Sequence, residues 1–226
     1  MKNLKKFLMR LKIAAKLIWS GNLRIIIKNI STRINSEITS IGFERESSKS
    51  FITPNSKISF SIRPFKDSDL NTLKEQFRHE RLVKERMETC YIAFDSNNNN
   101  CYKQWLIGSS ENVKIKNYFG DLFPTLKEHE ALIEGVYTNP DFRGLGVMPR
   151  AMSLISEVGF KSGYNRIIVF VNLLNIPSLK GCYKSGFTPY VIRKEKWFLF
   201  KRHVSFDKIP LSVSKALADL NINKLK

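Results

Sequence analysis

The sequence predicts a mixed α/β domain carrying a basic, amphipathic helical segment at its N-terminal end. Three observations predict it. From Lys57 to Ser205, short apolar runs of strand character alternate with helix-period segments and no internal repeat is visible. Around Glu134 to Met148 a strand runs through a glycine turn into a helix. Between Leu4 and Ile18 the residues Leu4, Phe7, Leu8, Leu11, Ala14, Ala15 and Ile18 recur at steps of three and four, with lysines and Arg10 between them.

Composition narrows the classes. The chain has 226 residues, 42% of them hydrophobic, enough for one core of ordinary size plus an appendage. Its formal charge of +18 is lopsided: Met1 to Ser36 holds nine Lys or Arg and no acidic residue. Such a balance favours polyanionic partners, whether nucleic acid, anionic lipid or a phosphorylated cosubstrate. Cys90, Cys101 and Cys182 lack metal-type spacing and three scattered histidines complete no zinc set, so no metal is expected and the thiols are expected to stay reduced. The apolar runs fall short of the roughly 20 residues of a spanning helix, and the basic start lacks a small-residue cleavage site, which together predict a cytoplasmic protein.

In chain order, residues 1–30 are expected to be the basic helical segment and 31–56, rich in Ser, Thr and Asn, mostly a linker. The domain proper is expected over 57–205 and a tail over 206–226. Ile58 to Arg63 alternates like a strand and Pro64 ends it; Asp67 or Ser68 can cap a helix through Leu70, Leu73 and Phe77. Cys90 to Phe94 and Cys101 to Ile107 flank the run Asn97 to Asn100 as a hairpin would. Ser110 to Phe119 reads as helix and Ala131 to Tyr137 as strand. Pro149 to Ser162 reads as helix with Met152, Ile155 and Gly159 along one side, and Arg166 to Val171 as a buried strand. Asn175 to Ser185 forms a helix ended by Gly186, and strands follow around Tyr190 and from Trp197 to His203.

The chemistry concentrates where the strand ending near Thr138 enters Asn139-Pro140-Asp141-Phe142-Arg143-Gly144-Leu145-Gly146-Val147-Met148. First-turn amides of a helix lack internal partners and carry the positive end of its dipole, and glycines let that backbone approach a phosphate. A tight strand-to-helix turn would serve as well on these residues alone. The segment, however, resembles the acetyl-CoA pyrophosphate loop of the GNAT acyltransferase superfamily, R/Q-x-x-G-x-G/A, with Arg143 and Gly146 at its first and fourth positions. Met148 departs from the sixth, and Pro149 follows where a missing amide is tolerated. Downstream, Asn175, Ser178, Gly186 and Phe187 match a second motif of that superfamily, N-x-x-A/S followed by G-F.

The resemblance covers Lys57 to Ser205 and implies a mixed, mostly antiparallel sheet splayed at its centre and flanked by helices. It further implies an N-acyltransferase in which an amine attacks the thioester of acetyl-CoA. By the same resemblance Val136, Tyr137, Thr138, Arg143, Gly144, Leu145, Gly146, Val147, Met148, Asn175 and Ser178 would contact the cosubstrate. Glu134 would be the general base, with Glu130 and His129 as substitutes, and Tyr183 the acid. The family tyrosine falls on Cys182, one residue and about 100° of helix away from Tyr183; Cys182 could itself donate a proton, although a buried cysteine reads first as apolar filler. Asn175 serves equally as an N-cap, and Glu134 equally as an ion-pair partner of a cation.

Two other readings stand beside this one: a non-catalytic coenzyme A-binding module on the same fold, and an interaction protein acting through its charge. The apolar stripe of residues 1–30 fits packing on the core or in a homodimer, or an anionic membrane surface on the inner, cytoplasmic face. It fits nucleic acid poorly. A small-molecule or lipid-linked amine is the expected acceptor.

Overall fold

The computed structural model describes residues 31–73 and 77–222, so the helix expected within residues 1–30 lies outside the described residues. The chain forms two compact units, a small one containing 31–39 with 194–205 and a larger one containing 40–193 with 206–222.

Fifteen elements build and position the site. The strands are β1 (Asn35–Glu46), β2 (Phe60–Pro64), β3 (Cys90–Asp95), β4 (Asn100–Gly108), β5 (Glu130–Thr138), β6 (Arg166–Asn172), β7 (Thr188–Phe198) and β8 (Lys201–Asp207). The helices are α1 (Phe77–Lys84), α2 (Asn112–Phe119), α3 (Val147–Lys161), α4 (Ile176–Lys184) and α5 (Leu211–Ile222), with short 3-10 turns at Asp67–Leu73 and Pro140–Phe142. In the larger unit the strand order is β2-β3-β4-β5-β6-β1-β7. Neighbours pair antiparallel from β2 to β5, and β1 pairs antiparallel with β6, whereas β5 and β6 run parallel. The mixed, mostly antiparallel sheet flanked by helices is the one the family resemblance implies.

One face of the sheet buries Ile41, Phe43, Leu106, Ile133, Ile167 and Val169 against Val147, Ala151, Met152 and Ile155 of α3 and Leu179 of α4. The other buries Trp105, Ile107, Leu132 and Ile168 against Leu82 of α1 and Ile115 and Phe119 of α2. Alternation along β4 and β5 assigns each side chain to its face, as a period of two requires.

Three expectations fail. The segment read as a linker contains β1, a strand of 12 residues with Ile41 and Phe43 fully buried. Each such side chain contributes about 1.5–3 kcal/mol on burial, so β1 is core and the domain does not begin at Lys57. Arg45 fastens it to α3, pairing with Glu157 and donating to Ser153 Oγ at 3.2 Å under the rings of Phe51 and Phe160. Arg166 ties β6 to both neighbours, with Nε 2.7 Å from Glu44 Oε2 and Nη1 2.6 Å from Glu130 Oε1. The expected tail holds α5, whose Leu217 is buried. The strand expected from Trp197 to His203 is broken at Leu199 and Phe200, which form a two-residue turn between β7 and β8 at φ of 46° and 65°. That left-handed conformation usually selects Asn-Gly, and for bulky L-residues it costs about 1–2 kcal/mol each.

Candidate active site

The parallel ladder between β5 and β6 runs from Glu130↔Arg166 to Ile133↔Val169 and stops there, although β5 continues to Thr138 and β6 to Asn172. The cause is local. Glu134 opposes Trp105 on β4 and Tyr137 opposes Lys103, so two residues of β5, Gly135 and Val136, stand against Gln104 alone. This is a β-bulge, built on Gly135 at φ +62°, and a bulge bends and twists its strand. Glycine is required twice over, since a Cβ there would lie 2.7 Å from Trp105 Cε3. The C-terminal half of β5, with Val136, Tyr137 and Thr138, thus diverges from β6 and leaves a slot open on that side.

The slot leads into the glycine loop. Asn139 caps the turn Pro140–Phe142, its Oδ1 accepting from Asp141 N at 3.3 Å while its Nδ2 donates to Asn100 O at 3.0 Å. Arg143 Nε donates to Thr138 O at 3.2 Å, bending this exposed cation back to the end of β5. Gly144 and Gly146 both have φ +76°, and Gly146 starts α3 with no side-chain cap, so amides of the first helical turn face outward. Around a Cβ built on Gly144 nothing lies within 4 Å, whereas one on Gly146 would meet Asn55 O at 3.1 Å. The loop is braced from that side: Lys57 N donates to Leu145 O at 2.8 Å, and Arg150 Nη1 to Pro54 O at 3.3 Å and Asn55 Oδ1 at 3.2 Å. An open cradle of backbone at a helix start, beside two arginines, fits a pyrophosphate.

Met148, the departure from the motif, turns its thioether to α4. A Cβ on Gly181 would lie 2.8 Å from both Met148 Sδ and Cε, so the glycine in α4 makes room for the methionine in α3. On α4, Asn175 caps the helix through Oδ1 to Ser178 N at 3.3 Å. An apolar cavity of about 350 Å³ adjoins this helix start, lined by Leu173, Ile176 and Leu179 on one side and Val213 and Leu217 of α5 on the other.

The face of the sheet beneath α1 holds the polar groups. Glu134 is buried, with Oε1 accepting from Gly135 N at 2.8 Å, so the carboxylate lies over its own bulge. Trp105 and Lys103, two residues apart on β4, share this face with their partners Glu134 and Tyr137. His79 of α1 completes it, its ring 5.0 Å from that of Trp105 and 5.9 Å from that of Tyr137. Lys103 is only 1% exposed; its Nζ donates to Thr72 O and sits 5.6 Å from the Tyr137 ring centroid. Burial pushes its ammonium down from 10.5 to about 8, with Cys90 and Asp69 acting in the opposite sense. Sequence reasoning singled out neither His79 nor Lys103; the available signal was a lysine inside the apolar run Cys101 to Ile107.

The folded-state pKa of Lys103 lies below its unfolded value, so between about 8 and 10.5 the unfolded chain binds more protons. Its burial therefore costs stability below pH 8, and the cost fades as pH rises toward 10.5. Lys103→Met is expected to raise stability at pH 7 by about 1 kcal/mol, the relief of desolvation being partly offset by the Thr72 carbonyl left without its donor, roughly 2–4 °C in Tm. That gain is expected to vanish near pH 10.5, which melting curves of both proteins across this range will check.

The other named candidates lie elsewhere. Glu130 is held by Arg166 and Lys127 N, and His129 is exposed with Nδ1 3.0 Å from Gly163 O; both are at the opposite end of β5 from the slot. Cys182 is fully buried beside Tyr102, its thiol pushed up to about 12 by burial. Tyr183 instead stands edge-on to Phe43 of β1 with ring centroids 5.2 Å apart, its hydroxyl pKa raised by burial and by Cys182. The two residues thus face different strands, as their offset along the helix requires.

Comparison with known proteins agrees with this geometry. No curated protein matches the chain. A fungal multi-domain GH3 β-N-acetylglucosaminidase, described as having a GCN5-related glucosamine N-acetyltransferase region, superposes with a TM-score of 0.55 at 12% identity, over 76% of this chain and 22% of that one. A Drosophila protein superposes with a TM-score of 0.52 at 11% identity, over 82% of this chain and 59% of that one. The chain therefore spans well under two thirds of the length of these proteins, and at such identities they share its fold. Residues 59–187, more than half of the chain, match the sequence profile of the acetyltransferase (GNAT) family, which contains both the bulged strand and the glycine loop. The chain belongs to the GNAT family.

Proposed function

We propose that the protein transfers an acetyl group from acetyl-CoA to an amine by direct attack. The observation that carries this reading is the bulged strand β5, which leaves β6 at Ile133 and delivers its open edge into the glycine loop at the start of α3. Arg143, Gly144, Leu145, Gly146, Val147 and Met148 would hold the pyrophosphate, largely through backbone amides. Val136, Tyr137 and Thr138 would pair with the amide-bearing pantetheine arm as an added strand does, and Asn175 and Ser178 would flank its end. When bound, acetyl-CoA supplies the electrophilic thioester carbonyl, whose C–S bond breaks as the amine nitrogen bonds to carbon.

Glu134 would take the proton that the amine loses, directly or through water, from a buried position at the base of the slot. His79, Lys103 and Tyr137, on the same face, would line the acceptor's approach. Tyr183 remains the candidate acid for the departing thiolate, although a thiol of ordinary pKa near 8.5 leaves without much help. We place the reaction in the cytoplasm, where Cys90, Cys101 and Cys182, all free and buried, stay as thiols.

Purified protein is expected to bind acetyl-CoA at about micromolar Kd by calorimetry and to release coenzyme A when an amine is supplied. A thiol-reactive dye will follow that release against little background from the buried cysteines. The amine panel should include glucosamine, suggested by the fungal protein's description, a diamine, a lysine peptide and an aminolipid. Binding without turnover on any of them would favour the non-catalytic module; no binding would remove both.

A further inference from the structure

The smaller unit ends in an apolar point. Phe198, Leu199 and Phe200 stand consecutively at the β7–β8 turn and are 64%, 60% and 58% exposed. Ile34, 43% exposed, lies beside them, because Leu199 N donates to Ile34 O at 2.9 Å and Phe200 N to Arg33 O at 2.8 Å. Single exposed apolar residues are ordinary, but four gathered at one turn are not. The turn also holds Leu199 and Phe200 where Asn and Gly would be relaxed, so the side chains are kept against the backbone's preference.

Cations flank this point. Trp197 lies between the guanidinium groups of Arg33 and Arg202, each 5.6 Å from its ring, and Lys194, Lys196 and Lys201 flank the turn in sequence. Residues 31–39 and 194–205 together hold five Lys or Arg against two Glu, and those two, Glu37 and Glu195, are met by Lys196 at 3.3 Å and Arg202 at 3.8 Å. An apolar tip, an interfacial tryptophan and a basic collar are the three parts of a surface made for an anionic bilayer.

We propose that this hairpin tip docks the protein on anionic membranes, Phe198, Leu199 and Phe200 entering the boundary between headgroups and acyl chains while the collar meets lipid phosphates. Nucleic acid would satisfy the cations and could stack on Phe198 or Phe200, but it would leave the exposed Leu199 and Ile34 uncovered, whereas lipid covers all four. A protein partner would need a strongly acidic surface around an apolar socket, and the apolar-and-basic repeat of residues 4–18 continues the same chemistry in the sequence toward lipid. The inference does not depend on the acyltransferase reading.

The test uses the full chain with Leu199→Cys carrying an environment-sensitive dye, which labels selectively because the three native cysteines are buried. Vesicles of equimolar phosphatidylglycerol and phosphatidylcholine are expected to shift the dye's emission to the blue and to expose it to quenching by spin-labelled lipid, with phosphatidylcholine alone giving far less. Separately, Phe198→Ser combined with Leu199→Asn and Phe200→Gly is expected to lower partition onto those anionic vesicles at least about tenfold, with Tm unchanged or higher because the turn is relieved. A dye that stays in water on anionic vesicles, an unchanged partition of the triple variant, or retention by a single-stranded oligonucleotide in preference to vesicles would each overturn the proposal.

Discussion

Gly146→Glu is expected to weaken acetyl-CoA binding by at least about a hundredfold, close to 3 kcal/mol. Three effects add. Gly146 has φ +76°, which costs an L-residue about 1–2 kcal/mol. Its new Cβ would stand 3.1 Å from Asn55 O and 3.3 Å from Ser56 Cα, and that segment cannot easily retreat, being held by Lys57 N on Leu145 O and Arg150 on Pro54 O. Last, a carboxylate would occupy the positive end of α3, where the proposed site would hold the pyrophosphate charge. Gly144→Ala is the matched control. It carries the same φ of +76° but has nothing within 4 Å of its Cβ, so it is expected to lose about 1 kcal/mol of stability and to weaken binding by less than about tenfold. Calorimetric titration of both variants checks the contrast. Wild-type affinity in Gly146→Glu would remove the loop from the site.

What the sequence disclosed was what its neighbours decide. The glycine loop, the strands on either side of it and the cap at Asn175 depend on residues within a few positions, and each stood out by spacing. β1 did not, because Ser and Thr mask the alternation of Ile41 and Phe43, and its partner is β6, far along the chain. The turn at Leu199 and Phe200 was hidden for the opposite reason: local rules expect Asn or Gly there, and the residues present serve some need other than turning.

The polar face followed the same division. Glu134 could be found from its place on the strand, but its neighbours could not. Lys103 acquires meaning only once the bulge sets it opposite Tyr137, and His79 only once α1 lies across Trp105. Met148 looked like an intrusion into the glycine loop because nothing in the sequence links it to Gly181, the residue that accommodates it. Residue offsets on one helix were, by contrast, reliable: Cys182 and Tyr183 face different strands as their spacing dictates.

Glu134→Gln is expected to lower kcat by about 10²–10⁴-fold while leaving acetyl-CoA affinity within about twofold. Glutamine is the informative change because the glutamate does two things. Its Oε1 accepts from Gly135 N at 2.8 Å, and an amide oxygen of the same reach can keep that bond and so keep the bulge that opens the slot. What glutamine cannot do is take a proton. Alanine would remove both functions, and a loss of kcat could then be blamed on a strand that no longer diverges. The pH profile separates base catalysis from mere positioning: as pH rises toward the acceptor's own ammonium pKa, more amine arrives already deprotonated and the deficit of the variant should shrink. Lys103 titrates near 8, within this range, but it is present in both proteins, so the ratio of wild-type to variant kcat is the quantity to follow. A ratio that stays large and flat with pH would make Glu134 a positioning residue of the bulge, and a ratio near one would remove it from the mechanism.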